Sequence, residues 1–216
     1  MNQLKFDQYK RLADSTIYSE PDGTFHDGLI EEMTKEFFCP LSLPKHSFIL
    51  DVGCGYGLFM DLAKDLDYTN LIGVTLSRED AELANAKGHS VLECDMADLP
   101  LADGHLDFIW CRHAIEHSPS PLFVLYEFNR LLKDGGQAYI EVPCPDDPRV
   151  HEANANHYSV LGNTMWVALF EKSGFECTRA QKISVQLKHE DKPFTENYLA
   201  FVVKKNANLV QNGTKK

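Results

Sequence analysis

Apolar and polar positions along this chain switch between two periods, and each switch marks an element. Phe48-Ile49-Leu50 is a short apolar run closed by Asp51; glycines then stand at alternate positions, Gly53, Gly55 and Gly57, before helix-forming residues resume at Leu58. The pattern predicts a buried parallel strand, a tight turn and the start of a helix. Further strands are predicted at Leu71–Val74, Ser90–Cys94, Leu106–Cys111 and Gln137–Val142. Between them lie predicted helices at Leu58–Leu66, at Ala81–Lys87 with Ser77 as N-cap and Gly88 as stop, and near Pro121–Leu132, closed by Asp134-Gly135-Gly136. Such alternation implies an α/β fold, a doubly wound parallel sheet with right-handed crossovers.

The two ends depart from that rhythm. Leu4, Phe6, Tyr9, Leu12 and Ala13 keep helical spacing, Ser19-Glu20-Pro21-Asp22-Gly23 breaks it, and a second helix is expected from Thr24 to Phe38, stopping before Pro40. After the core unit, Leu161–Ser173 forms an amphipathic helix ended by Gly174. Phe175–Leu187 and Glu196–Lys204 then read as a hairpin joined by Lys188–Pro193. The expected division is an arm at 1–44, a core domain at 45–205 and a frayed tail at 206–216. The arm either covers the site or only pads the sheet. Residues 143–158 are polar and irregular, the mark of a functional or mobile loop.

Composition narrows the function classes. The 216 residues, 44% hydrophobic and 25% charged, suit one domain with a substantial core. A net charge of −11 argues against a surface that tracks phosphates, so a nucleic-acid partner is not expected. The six cysteines are scattered with no Cys-x-x-Cys pair, which reads as reduced thiols in a cytoplasmic protein. No 18-residue apolar segment is present, and the polar start Met1-Asn2-Gln3 does not read as a signal peptide.

The glycine spacing is Gly-x-Gly-x-Gly, not the Gly-x-Gly-x-x-Gly of dinucleotide binding. Asp51-Val52-Gly53-Cys54-Gly55-Tyr56-Gly57 resembles the first motif of class I S-adenosylmethionine-dependent methyltransferases. Asp95-x-x-Asp98-Leu99-Pro100-Leu101, followed by Asp107-Phe108-Ile109, is similar to small-molecule members of the ubiquinone-biosynthesis type. The resemblance implies a seven-stranded sheet of order 3-2-1-4-5-7-6, mostly parallel, with the C-terminal hairpin antiparallel. It also implies S-adenosylmethionine as donor and S-adenosylhomocysteine as product. The glycine turn would hold the methionine part, with Asp51 near its amino group. Thr75 and Leu76 would meet the ribose, Asp95 the adenine amino group and Met96 the ring; Cys111 completes the expected set, and Asp98 is read as structural. Where the family usually has a ribose-binding acid, this chain has Thr75 within Gly73-Val74-Thr75-Leu76-Ser77, as cyclopropane-synthase-like relatives do.

Chemistry is expected after the fourth and fifth strands. His113 is the first candidate for a general base, since histidine titrates near neutrality, or else it packs against the cofactor with no proton role. Glu116-His117 either braces the next helix or binds a divalent metal. Some family members use Glu-x-x-Glu-His for that; here His113 replaces the first glutamate, and His151 or His157 would complete the shell. His157, with Tyr158 beside it, is expected on the acceptor side, and Tyr18 and His26 of the arm are further candidates. The leading reading is methyl transfer to a small-molecule oxygen: a sugar, a phenol or another metabolite. A nucleic-acid methyltransferase, a non-catalytic cofactor-binding partner subunit and a dehydrogenase are the alternatives.

Overall fold

The computed structural model describes residues 25–189 and 192–206, together with Gln8 and Arg11. The expected helix at 3–14, Tyr18, the side chain of His26 and the tail beyond Asn206 lie outside the described residues. Helix α1 (Phe25–Met33) runs into a π-helical turn (Thr34–Phe38) and a 3-10 turn (Cys39–Leu41). Helical structure therefore continues three residues past the expected stop at Phe38, because Pro40 falls in the first turn of a new 3-10 segment, where its missing N–H costs nothing.

The alternating segment follows as β1 (Phe48–Val52), α2 (Leu58–Asp65), β2 (Asn70–Thr75), α3 (Arg78–Ala86), β3 (Val91–Glu93) and β4 (Leu106–Arg112). Then come α4 (Pro121–Leu131), β5 (Leu132–Pro143), α5 (Asn163–Lys172), β6 (Phe175–His189) and β7 (Lys192–Lys205). The strands form one sheet in the order β3-β2-β1-β4-β5-β7-β6. β1 to β5 pair in parallel, and β7 joins β5 and β6 antiparallel, as the resemblance implies.

Successive side chains of a strand face opposite sides, so each central strand feeds two cores. Leu50, Ile109 and Ile140 pack on Phe128 of α4 and Trp166 of α5. Ile49, Phe108 and Tyr139 pack on Phe37, Phe38 and Phe59. On that second face Phe59 stacks on Trp110 and Trp110 on Tyr139, each with centroids 4.3 Å apart. The arm from α1 to the π turn thus covers apolar sheet surface.

Two boundaries differ from expectation. β5 starts at Leu132, directly after α4, rather than at Gln137. Leu106 pairs with Leu132 but Phe108 with Gln137, so residues 133–136 bulge out of the ladder instead of closing the helix. The terminal hairpin is also longer than predicted: β6 and β7 stay paired out to His189 and Lys192. Among the described residues no helix is long and apolar enough to cross a membrane.

Candidate active-site cleft

The carboxyl ends of β1, β2, β4 and β5 open into a cleft of about 270 Å³. Its first end is built largely of backbone. Gly53 and Cys54 donate to Val74 O at 2.9 and 3.0 Å, tying the glycine turn to β2. Gly53 has φ +70°, and a Cβ there would stand 2.6 Å from the Ala114 Cβ. Gly57, at φ +87°, caps α2, where a Cβ would meet His89 at 2.8 Å. Both positions therefore demand glycine. Gly53 and Gly55 line the cleft; Gly57 does not, and acts by starting the helix.

Thr75 and Leu76 line the same end. The Thr75 hydroxyl oxygen accepts from Ser77 N–H at 3.0 Å, and Ser77 in turn caps α3 by accepting from Asp80 N–H at 3.2 Å. That cap turns the buried carboxylate of Asp80 into the cleft beside Thr75, a residue the sequence reading missed. Cys94 and Met96 line the wall beyond it. Asp95, between them, uses Oδ1 to accept from Ala97 N–H at 2.9 Å and is not a lining residue. Asp51 is buried on the opposite side of β1, in a smaller cavity with Trp110. Cys111 lies wholly inside the core, where burial raises its thiol pKa well above the ordinary value, so its side chain does not reach the cleft.

The second end is made of side chains. His113, at the end of β4 with φ +49°, stands between two carboxylates. Its Nε2 is 2.9 Å from Glu141 Oε1 and its Nδ1 is 3.4 Å from Glu116 Oε1; both acids are 1% exposed. Burial and Arg112 lower the His113 pKa, but hydrogen bonds to Glu116 and Glu141 outweigh them, and the net shift is upward. Glu141 is pushed up by burial yet held at about 2, because Arg112 Nε lies 2.8 Å away and His113 and Tyr139 also donate to it. Both ring nitrogens of His113 are turned to buried carboxylates, a geometry that counts against the expectation that His113 is the base.

His157 is different. Its Nδ1 is 3.0 Å from His151 O, and a carbonyl only accepts, so Nδ1 carries the proton and Nε2 the lone pair. Burial lowers its pKa, which keeps the ring neutral. His117 is fixed in the same tautomer by Nδ1 donating to Asn156 O at 3.0 Å. One ligand atom each from Glu116, His117 and His157 lie within 4.8 Å of one another, a spacing that suits a divalent cation.

Backbone N–H groups of Tyr158 and Ser159 donate to Glu116 O at 2.8 and 3.0 Å, which brings the end of the 143–158 loop onto the 3-10 turn after β4 (Ile115–His117). Asp147 anchors the loop's other end by accepting from Asn197 N and Nδ2 at 2.9 and 2.8 Å. The far wall holds Glu196, buried against His151 Nε2 at 3.2 Å, and Tyr198, whose ring meets that of His113 edge-on at 4.6 Å. Sequence reasoning missed Glu141, Glu196 and Tyr198. The one available signal was Glu141 standing alone in the apolar run Tyr139–Val142.

Residues 50–140 match the family described as "Methyltransferase domain". Over those residues the chain is similar to methyltransferase domains. Over 156 residues the chain is 28% identical to the 27-O-demethylrifamycin SV methyltransferase of Amycolatopsis mediterranei, covering 63% of this chain but only 56% of that protein's length. The chain also superposes on a solved SAM-dependent methyltransferase from Archaeoglobus fulgidus, with TM-score 0.68 and 17% identity over 95% of this chain and all of that one. It matches the Haloferax volcanii protein solved with the Trm112 methyltransferase activator at TM-score 0.73 and 19% identity, over 93% of this chain and 96% of that one. At those identities the two structures speak for the fold.

Proposed function

We propose that this chain is a methyltransferase that transfers a methyl group from S-adenosylmethionine to an oxygen of a small-molecule acceptor. The observation that carries the reading is one cleft that joins the glycine turn at its first end to a neutral, tautomer-fixed histidine at its other. The first end fits the donor by its chemistry. Gly53 and Gly55 let a ligand come close, Thr75 and the buried Asp80 suit ribose hydroxyls, and Cys94 and Met96 suit a flat ring, with Asp95 beside them. When bound, the sulfonium supplies an electrophilic methyl group.

The rest is done by the chain's own groups. His157 Nε2, which accepts from Asn154 Nδ2 at 3.2 Å, takes the acceptor's hydroxyl proton once that hydroxyl displaces the amide. His113 acts as a positioning residue, its Nδ1 3.4 Å from Glu116 Oε1. Arg149, His151, Asn154 and Asn156 line the acceptor end, which favours a hydroxyl-rich or phenolic metabolite over an apolar one. The net charge of −11 supports a metabolite over a nucleic acid, and the six free cysteines suit the cytoplasm.

A metal-assisted variant of the same reaction is favoured by one further observation, the Glu116, His117 and His157 cluster. A divalent cation there would orient an acceptor diol and lower its hydroxyl pKa, so that the hydroxyl proton passes to solvent and His157 serves as a ligand instead of the base. Turnover of a labelled methyl donor over an acceptor panel, with and without chelator, tests both readings. Activity that survives chelation supports His157 as the base. Activity lost on chelation and restored by manganese supports the metal. No transfer to any acceptor, with S-adenosylhomocysteine still bound, leaves the partner-subunit alternative.

A further inference from the structure

Glu196 and Asn156 line the acceptor end of the cleft. In each, a buried side-chain oxygen, Oε2 and Oδ1 respectively, has no hydrogen-bond partner among the described residues. A buried acceptor left without a donor is costly unless a ligand supplies one. Glu196 is the informative one. It stands on β7, 1% exposed, and its other oxygen, Oε1, faces His151 Nε2 at 3.2 Å and Arg149 Nε at 3.5 Å. Burial raises its pKa, but His151, Arg149 and Tyr198 outweigh burial and hold the group below its ordinary value, as a carboxylate. Its charge is thus already matched from within the chain. An ammonium would add a second cation beside Arg149, and an anionic group would lie against Glu196 and Glu116. A neutral hydroxyl meets neither objection.

The neighbouring imidazole rings fix where these residues stand relative to the proposed base. The Asn156 carbonyl accepts from His117 Nδ1 at 3.0 Å, and the His117 ring is 4.8 Å from that of His157. On the other side His157 stacks at 5.8 Å on His151, the ring that faces Glu196. His157 therefore lies between Asn156 and Glu196, one ring removed from each. We infer that the acceptor is a polyhydroxylated ring of the sugar or cyclitol class, whose methylated hydroxyl is flanked by two more, one donating to Glu196 Oε2 and the other to Asn156 Oδ1. The inference rests on the methyl-transfer reading above and narrows its acceptor from any small-molecule oxygen to a polyol. A simple phenol, with one hydroxyl on an apolar ring, leaves both buried oxygens unmet. Glu196 and Asn156 thereby set specificity, and Arg149 and His151 hold Glu196 in place.

Turnover of a labelled methyl donor tests this with three sets of acceptors: methyl hexopyranosides of the gluco, manno and galacto series, myo-inositol, and phenol with catechol. Transfer is expected to the hexopyranosides or to the inositol, and these two arms separate sugar from cyclitol. Transfer to the phenols alone overturns the inference and leaves methyl transfer to oxygen standing. For the best polyol, monodeoxy analogues lacking either hydroxyl beside the methylated one should lose about 10-fold or more in kcat/KM. Glu196→Met fills the same space without an accepting oxygen and should shrink that loss at one position to about threefold or less. Asn156→Ala should do the same at the other position. A damaged loop anchor would slow every acceptor alike and keep the deoxy penalties, so unchanged penalties in both variants overturn the inference. Asn156→Ala decides alone should Glu196→Met fail to fold. No transfer to any acceptor also overturns the inference, and if S-adenosylhomocysteine then fails to bind, the methyl-transfer reading falls with it.

Discussion

The two ends of the cleft are built in different ways. The donor end is mostly backbone: a glycine turn pinned to β2, the capped start of α3 and the β3 exit. The acceptor end consists of side chains from the β4 exit, the 143–158 loop and β7, held by buried ion pairs. Backbone geometry is set by local sequence and leaves little to vary. A side-chain constellation assembled from distant segments can change its chemistry with few substitutions. On the proposed reading, the backbone-built end holds the donor and the side-chain end sets the specificity for the acceptor.

The largest expected effect is from Glu141→Gln, because Glu141 braces both Arg112 and His113. Removing one partner from a buried ion pair costs about 3–5 kcal/mol, so a large drop in Tm is expected at neutral pH. The unmodified protein should show the related acid sensitivity. Glu141 is held at about 2, below its ordinary 4.5, so its stabilisation is complete above pH 4.5 and is lost as pH falls toward 2. Denaturant midpoints measured over that range should decline in the unmodified protein and decline less in the variant.

His157→Gln should separate the ends. The methyl-transfer rate is expected to fall about 100-fold or more, with S-adenosylhomocysteine affinity unchanged by calorimetry. A matching loss of affinity would join what the account holds apart. Gly53→Ala works from the other side: a positive φ and a Cβ 2.6 Å from Ala114 should cost about 2–3 kcal/mol and weaken donor binding. Smallest is Ser77→Ala. Losing the cap of α3 should cost about 1 kcal/mol in thermal melts, with a modest loss of donor affinity through Asp80.

Legibility in the sequence follows the same division. The alternating strands and the glycine turn could be read because period, glycine spacing and capping are local signals, whereas the strand order was implied by the family resemblance. The early start of β5 could not, since Asp134-Gly135-Gly136 has the composition of a helix stop and only pairing with β4 turns it into a bulge. Asp80 was hidden because a helix's first turn commonly carries acids for the dipole, and nothing in the sequence says which of them faces inward. His113 was legible as a histidine after the fourth strand, but its setting between two carboxylates was not. One of them, Glu141, is 28 residues away on the neighbouring strand.

The most direct measurement is a calorimetric titration of S-adenosylhomocysteine into the purified chain. The account predicts saturable binding at one site per chain, retained by His157→Gln and weakened by Gly53→Ala. A flat titration at saturating ligand, from a protein shown to be folded, would contradict it.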